Sequence, residues 1–288
     1  MKELTIISGK GGTGKTSIVG SFASLATNFV LADADVDAAD LHLIITPTIV
    51  QTNDFMGGHK AIIDPDRCTQ CGECIERCQF DAINNFTIDT IACEGCGVCV
   101  HFCPSDAIDF PQRKCGEWFI SNTSYGPMVH AKLGIAEENS GLLVSTVRRN
   151  ARELAEKENR DLVIADGPPG IGCPVIASIT GATAILIITE PTLSGLHDLE
   201  RVAELAKFLK VPGMLCINKY DLNPDMSNEL LNTAQKYQLT TVGTVPYDPS
   251  VTKAMVSGKS TVDFSDSPAS KAIRQVWEKV SAFLDSQE

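Results

Sequence analysis

The sequence predicts an α/β fold: a doubly wound, mostly parallel sheet with a small α+β domain inserted into it. Three observations carry that expectation. Short apolar runs rich in Ile, Val and Leu alternate with helical stretches along most of the chain. A glycine-rich loop joins the first run to the first helix. The alternation then stops over residues 61–112, where cysteines crowd together. The runs are Leu4–Ser8, Phe29–Ala32, Leu162–Ala165, Ala184–Thr189 and Met214–Ile217. Unbroken apolarity over such short lengths suits strands covered on both faces, as in parallel sheets. Ser17–Ala26, Leu142–Lys157, Gly195–Leu209, Asn228–Tyr237 and Ala269–Leu284 read as helices, and strands alternating with helices are the pattern of a doubly wound domain.

Composition narrows the class. A chain of 288 residues can bury a full core, and 43% hydrophobic with 21% charged residues is ordinary for a globular protein. The formal charge of −12 argues against nucleic acid or an anionic membrane as partner. No run approaches the apolar length of a membrane-spanning helix. The amino terminus reads as a strand entering a glycine loop rather than a leader peptide, so a cytoplasmic protein with no stable membrane anchor is expected.

Eight of the eleven cysteines lie between Cys68 and Cys103. In a reducing compartment such density points to metal rather than disulfides. The segment repeats itself: C-x2-C-G-x-C-x3-C-x2-D-A-I begins at Cys68 and again at Cys93. It is too short for a normal core and needs inorganic staples to fold. Residues 61–112 are therefore assigned to an insert, and residues 1–60 with 113–288 to the α/β domain.

Gly9-Lys10-Gly11-Gly12-Thr13-Gly14-Lys15-Thr16 fits the phosphate-loop pattern G-x4-G-K-[ST], with Ser17 opening the helix behind it. Glycines let backbone N–H groups close around phosphate oxygens at a helix N-terminus. Lys15 is placed to meet the β- and γ-phosphates, and the Thr16 hydroxyl to bind Mg²⁺.

Lys10 makes the loop resemble the deviant Walker A motif K-G-G-T-G-K-T of the MinD/Mrp superfamily, P-loop NTPases of the SIMIBI type. Asp33-Ala34-Asp35-Val36-Asp37 after the second run, Asp166-Gly167-Pro168-Pro169-Gly170 after the third, and Val245-Pro246-Tyr247-Asp248 resemble the same group. The resemblance implies an ATPase, slow without a partner, that forms a nucleotide-dependent homodimer or a heterodimer with a paralogue. Lys10 would reach the partner's nucleotide. Thr16, Asp33 and Asp166 would hold Mg²⁺, Asp35 would orient the attacking water, and Asp37 stays open. Asn218 would contact adenine and Pro246 would line the base. Asn218-Lys219-Tyr220-Asp221 also resembles the N-K-x-D of GTPases, which leaves GTP as the second nucleotide after ATP.

Cys68, Cys71, Cys74 and Cys78, then Cys93, Cys96, Cys99 and Cys103, follow C-x2-C-x2-C-x3-C and resemble the bacterial two-cluster ferredoxin run. The fourth cysteine of each run there serves the other cluster. That resemblance implies one [4Fe–4S] cluster on Cys68, Cys71, Cys74 and Cys103, and another on Cys93, Cys96, Cys99 and Cys78. Zinc on C-x2-C pairs is the competing reading. Gln79 stands where the ferredoxin run has proline.

Taken together, the resemblances imply an ATP-driven dimer cycle coupled to electron transfer through two clusters, with a redox or cluster-accepting protein as partner. An iron–sulfur assembly or carrier ATPase, or a spatial-positioning ATPase with sensor clusters, are the alternatives. Cys115, Cys173, Cys216 and His130 are assigned to no metal. Tyr125–Gly134 and Glu137–Gly141 also resemble the ferredoxin-containing members of the group. The last helix, with Ile273, Val276, Trp277, Val280, Phe283 and Leu284 at helical spacing, is expected to dock on the domain.

Overall fold

The computed structural model describes residues 1–134 and 140–287. Within the stretch Glu137–Gly141, residues 137–139 lie outside the described residues. The chain divides into two compact units. One comprises Met1–Asn53, Trp118–Lys132 and the chain from Ser140 on; the other comprises Asp54–Glu117 with Leu133 and Gly134.

The larger unit opens with β1 (Lys2–Ser8), α1 (Lys15–Leu25), β2 (Phe29–Asp33) and α2 (His42–Ile45). β3 (Thr48–His59) then carries the chain into the smaller unit, which holds β4 (Ile62–Ile63), α3 (Glu73–Glu76), β5 (Ile83–Asn84), β6 (Thr87–Ile88), α4 (Val98–His101) and β7 (Ile108–Asp109). β8 (Gln112–Asn122) brings it back, and β9 (Pro127–Leu133) follows. The remaining alternation is α5 (Ser140–Lys157), β10 (Leu162–Pro169), α6 (Cys173–Ile179), β11 (Ala184–Thr189), α7 (Leu193–Phe208), β12 (Gly213–Asn218), α8 (Pro224–Lys236) and β13 (Thr240–Val245). Three helices close the chain: α9 (Pro249–Val256), α10 (Thr261–Phe264) and α11 (Pro268–Asp285).

The strands line up in the order β13-β12-β11-β1-β10-β2-β9-β8-β3, and the pairings from β13 through to β9 are parallel. β1 sits between β10 and β11, with Ile6 level with both Asp166 and Leu186. Successive connections leave β1 first to one side and later to the other, and ligands of doubly wound sheets bind at the strand C-termini where the order reverses. Asp33 and Asp166 are register partners there.

Each sheet face is covered by helices. Ile18, Val19 and Phe22 of α1 pack with Ile273, Val276 and Val280 of α11 on one face. Val175, Leu199, Val202 and Leu230, from α6, α7 and α8, cover the other. Trp277 closes against Phe22 with ring centroids 4.9 Å apart, so α11 lays its apolar side on the core. No described helix is long and apolar enough to cross a membrane.

Every apolar run named above forms a strand, although β10 continues past Ala165 to Pro169. The expected helices form as well, with ends displaced by a few residues. β3, β8, β9 and β13 were not expected. The first half of β3 is exposed and carries Thr, Gln and Asn, so it lacks the apolar signature of a covered strand.

The smaller unit is thinly packed, with Ala61, Cys74, Ile83 and Ile108 as its buried apolar cluster. Two short antiparallel pairs frame it, β4 with β7 and β5 with β6. Arg67 ties its ends together, donating to Asp64 and Asp109 carboxylates at 2.7 Å and to the Asp106 carbonyl at 2.8 Å.

Candidate functional site

The phosphate loop runs from the end of β1 to the start of α1. Gly14 adopts φ +87°, and a Cβ there would come within 2.3 Å of Asn218 Nδ2. Only glycine satisfies both the left-handed backbone and the close approach. Gly9 is confined for a different reason: a Cβ would fall 2.1 Å from Asp198 Cβ on α7.

Lys15 projects beneath the loop into a buried cluster of carboxylates. Its Nζ lies 3.2 Å from Asp35 Oδ2 and also contacts Asp166 Oδ1. Burial disfavours the ammonium, but Asp166 and then Asp35 outweigh it, and the pKa is raised above the ordinary lysine value. Burial raises Asp33 well above the usual carboxylate range, with the charge on Asp166 adding to it. Asp35 is raised as well, mainly by burial. Asp33 Oδ1 accepts the Asp35 N–H at 3.3 Å, which leaves Asp33 Oδ2 buried without a hydrogen bond. Asp35 Oδ1 and Thr13 Oγ1 are likewise buried and unpartnered. Buried polar atoms without partners are rare and costly. Three of them beside one phosphate loop fit a site built for a charged ligand and its cation. Thr16 is half-buried on the first turn of α1, while Asp37 is exposed.

Lys10 turns back onto its own chain. Its Nζ is 2.6 Å from Glu190 Oε1 and 3.1 Å from Ser194 Oγ. Glu190 also accepts from Lys219 Nζ at 3.1 Å, and Lys219 donates to the Gly12 carbonyl at 3.3 Å. Burial works against the Glu190 carboxylate, but the bonds from Lys10 and Lys219 prevail and its pKa is lowered. Asn218 Nδ2 donates to the Thr13 carbonyl at 2.7 Å and so supports the loop from below. Ser17 Oγ donates to Met255 Sδ at 3.1 Å. Pro246 is half-buried between Val245 and Tyr247, and Asp221 Oδ1 accepts the Tyr247 N–H at 2.7 Å.

Sequence reasoning passed over Glu190, Ser194, Asp198 and Met255. For Glu190 a signal existed: it follows an apolar run, the position type that singled out Asp33 and Asp166. The others come from α7 and α9 and become neighbours of the loop only through the fold.

The smaller unit contains two cysteine-lined cavities. One, with about 370 Å³ of empty space, part of it open to solvent, is lined by Cys78, Cys93, Cys96 and Cys99 among Phe80, Ile83 and Phe110. The other, with about 290 Å³, is lined by Cys68, Cys71, Cys74 and Cys103 together with Phe86, Ser105 and Ile108. Each run thus contributes three cysteines to one cavity and its fourth to the other. None of the eleven cysteines is in a disulfide. As they stand, no group of three or more His, Cys, Asp or Glu side chains among the described residues is arranged to hold a metal ion. Four free thiols around one hollow are nevertheless the donor set that soft metals and iron–sulfur clusters take. Cys115 is buried with its Sγ on the Gly57 carbonyl, Cys216 is buried in β12, and Cys173 is exposed at the start of α6.

A phosphate loop at the switch point of a parallel sheet, with strand-end carboxylates gathered on its lysine, defines a P-loop nucleotide-binding α/β protein. Residues 4–262 match the CobQ/CobB/MinD/ParA nucleotide binding domain, and the chain belongs to that family. An uncharacterized protein of Methanocaldococcus jannaschii is 34% identical over 98% of this chain and 97% of its own length. The iron–sulfur cluster carrier protein of Pyrococcus horikoshii is 28% identical over 134 residues, 42% of this chain and 45% of that one. Among solved structures, the septum site-determining protein MinD of Pyrococcus horikoshii in complex with Mg-ADP superposes with a TM-score of 0.59 at 16% identity, covering 100% of this chain and 98% of that one.

Proposed function

We propose that this protein is a Mg²⁺-dependent ATPase carrying two [4Fe–4S] clusters in its smaller unit, and that its nucleotide cycle governs electron transfer to a protein partner. The observation that carries the reading is the division of eight free cysteines into two cavities of four, in a chain that also has a complete phosphate loop.

At the loop, a triphosphate would draw Lys15 from Asp35 and Asp166 towards phosphate oxygens, which frees carboxylates for the cation. Thr16, Asp33 and Asp166 would hold Mg²⁺, and Asp35 would orient the attacking water. Positioning and charge neutralisation, rather than covalent chemistry, lower the barrier to phosphoryl transfer. ATP is the preferred nucleotide, with Asn218 and Pro246 beside the base. Lys10 would exchange Glu190 for the nucleotide of a second copy, which makes the dimer nucleotide-dependent. The clusters, when bound, supply one-electron redox chemistry, and the cysteines hold them and limit solvent access.

The test is anaerobic purification of the full chain, with iron and labile sulfide counted and the cluster spectra recorded with no nucleotide, with ADP and with a non-hydrolysable ATP analogue. About eight iron per chain and a nucleotide-dependent spectrum are expected, because two four-iron clusters imply that count. Two zinc and no sulfide would remove the cluster reading, and spectra indifferent to nucleotide would remove the coupling.

The partial likeness to iron–sulfur cluster carrier proteins favours a second reading, in which the chain delivers clusters to apo-proteins. Loss of labelled iron to an apo-acceptor distinguishes it from reversible reduction with iron retained.

A further inference from the structure

The two cysteine runs are copies of one pattern, so each position in one can be set against its counterpart in the other. After the fourth cysteine the chain reads Cys78-Gln79-Phe80-Asp81-Ala82 in the first copy and Cys103-Pro104-Ser105-Asp106-Ala107 in the second. The counterpart of Ser105 is therefore Phe80. Both residues face the cavity that their own cysteine serves: Phe80 lines the one with Cys78, and Ser105 lines the one with Cys103. The Ser105 hydroxyl lies 3.6 Å from Cys103 Sγ, and the Ala107 N–H donates to the same sulfur at 3.3 Å. A phenyl ring offers Cys78 no such donor. The rims differ in the same sense. Each carries one glutamate, Glu94 at the Cys78 cavity and Glu73 at the Cys103 cavity, and Glu73 is ion-paired with Arg77 at 2.8 Å.

Reduction of a cluster adds one negative charge to the iron–sulfur core and its thiolates. Donors aimed at a ligating sulfur stabilise that added charge, and an apolar wall does not. From this we infer that the two sites are graded in potential: the cluster on Cys68, Cys71, Cys74 and Cys103 is the more easily reduced, with Ser105 as the residue that sets the difference. An electron delivered by a low-potential one-electron donor comes to rest there. The cluster on Cys78, Cys93, Cys96 and Cys99 is the stronger reductant of the pair. This inference rests on the cluster reading above and adds a direction to it.

The experiment is an anaerobic redox titration of the full, cluster-loaded chain with dithionite, followed by electron paramagnetic resonance, after iron and sulfide have been counted. Wild type is expected to show two separate one-electron midpoints. Ser105→Ala should move only the more positive midpoint, downward by roughly a tenfold change in its reduction equilibrium, about 59 mV for one electron. Ser105→Thr, which keeps the hydroxyl, should restore it. Phe80→Ser should raise the more negative midpoint alone, which tests the same claim from the other cavity. Coincident wild-type midpoints, or midpoints unmoved in both Ser105→Ala and Phe80→Ser, would overturn the grading. A chain that binds neither iron nor sulfide under these conditions would instead overturn the cluster reading beneath it.

Discussion

Lys10 and Lys15 occupy one loop but answer to different carboxylates. Lys15 is buried between Asp35 and Asp166, while Lys10 lies on the half-open Glu190, which it shares with Lys219. If Glu190 restrains Lys10 from a second copy, Glu190→Gln should favour the ATP-bound dimer. A partly exposed ion pair contributes up to about 1 kcal/mol, so a roughly fivefold tighter self-association is expected in sedimentation. Lys10→Ala in the same background should abolish that gain. His130 offers a test by pH. It is packed on Phe119 and bonded to Ser121 at 2.8 Å, and burial, with nearby His42 adding, lowers its pKa from 6.5 to about 4. The unfolded chain therefore takes up this proton before the folded chain does. The stability tied to neutral His130 is complete above 6.5 and is lost as the pH falls towards 4. Thermal melts across that window should slope less in His130→Gln than in wild type. What the sequence left illegible at this scale has a common cause. Lys10, Lys15 and the strand-end aspartates stand out because motif and strand end coincide, whereas Ser194 and Asp198 sit on a helix whose position over the loop depends on tertiary packing.

Among the elements, the β1–α1 loop and α11 are the most exposed to single changes. Gly14→Ala meets both a left-handed φ and the Asn218 amide, so nucleotide binding is expected to fall below detection by calorimetry while the circular dichroism of the fold persists. Ile273 is 1% exposed in the core beneath α11. Ile273→Ala should cost about 2–5 kcal/mol and lower the melting temperature without altering the phosphate loop. The strands that could be read from sequence are those buried on both faces: β1, β2, β10, β11 and β12. β3 escaped because its outer half is solvent-exposed. β8, with Arg113, Lys114 and Glu117 in its first half, escaped because charges interrupt any apolar run. The cysteine runs were legible for the opposite reason, since their spacing is a chemical pattern that needs no periodicity.

At the scale of the whole molecule, the two units differ in what holds them together. The larger has two helix-covered sheet faces, and the smaller has a buried apolar cluster of only Ala61, Cys74, Ile83 and Ile108. A core that thin does not stabilise a domain alone. Stripping iron with a chelator under anaerobic conditions should therefore remove a separate lower-temperature transition in calorimetry and leave the transition of the α/β unit near its original temperature. Coincident loss of both would show that the smaller unit does not depend on iron in the way proposed. The doubly wound topology was legible as a class, but the row β9-β8-β3 was not, because β3 meets β8 and β9 meets β2 only across long stretches of intervening chain.

The exchange of one cysteine between the repeats has a consequence for the history of the chain. A duplicated segment ordinarily leaves a spare, and either copy can decay while the other carries on. Here neither repeat completes a cavity: each alone offers three thiols to one hollow and a single thiol to the other. Deleting either copy would leave no intact set of four. The duplication is thus locked in, and the two copies can diverge only in what surrounds the sulfurs, as Phe80 and Ser105 have done.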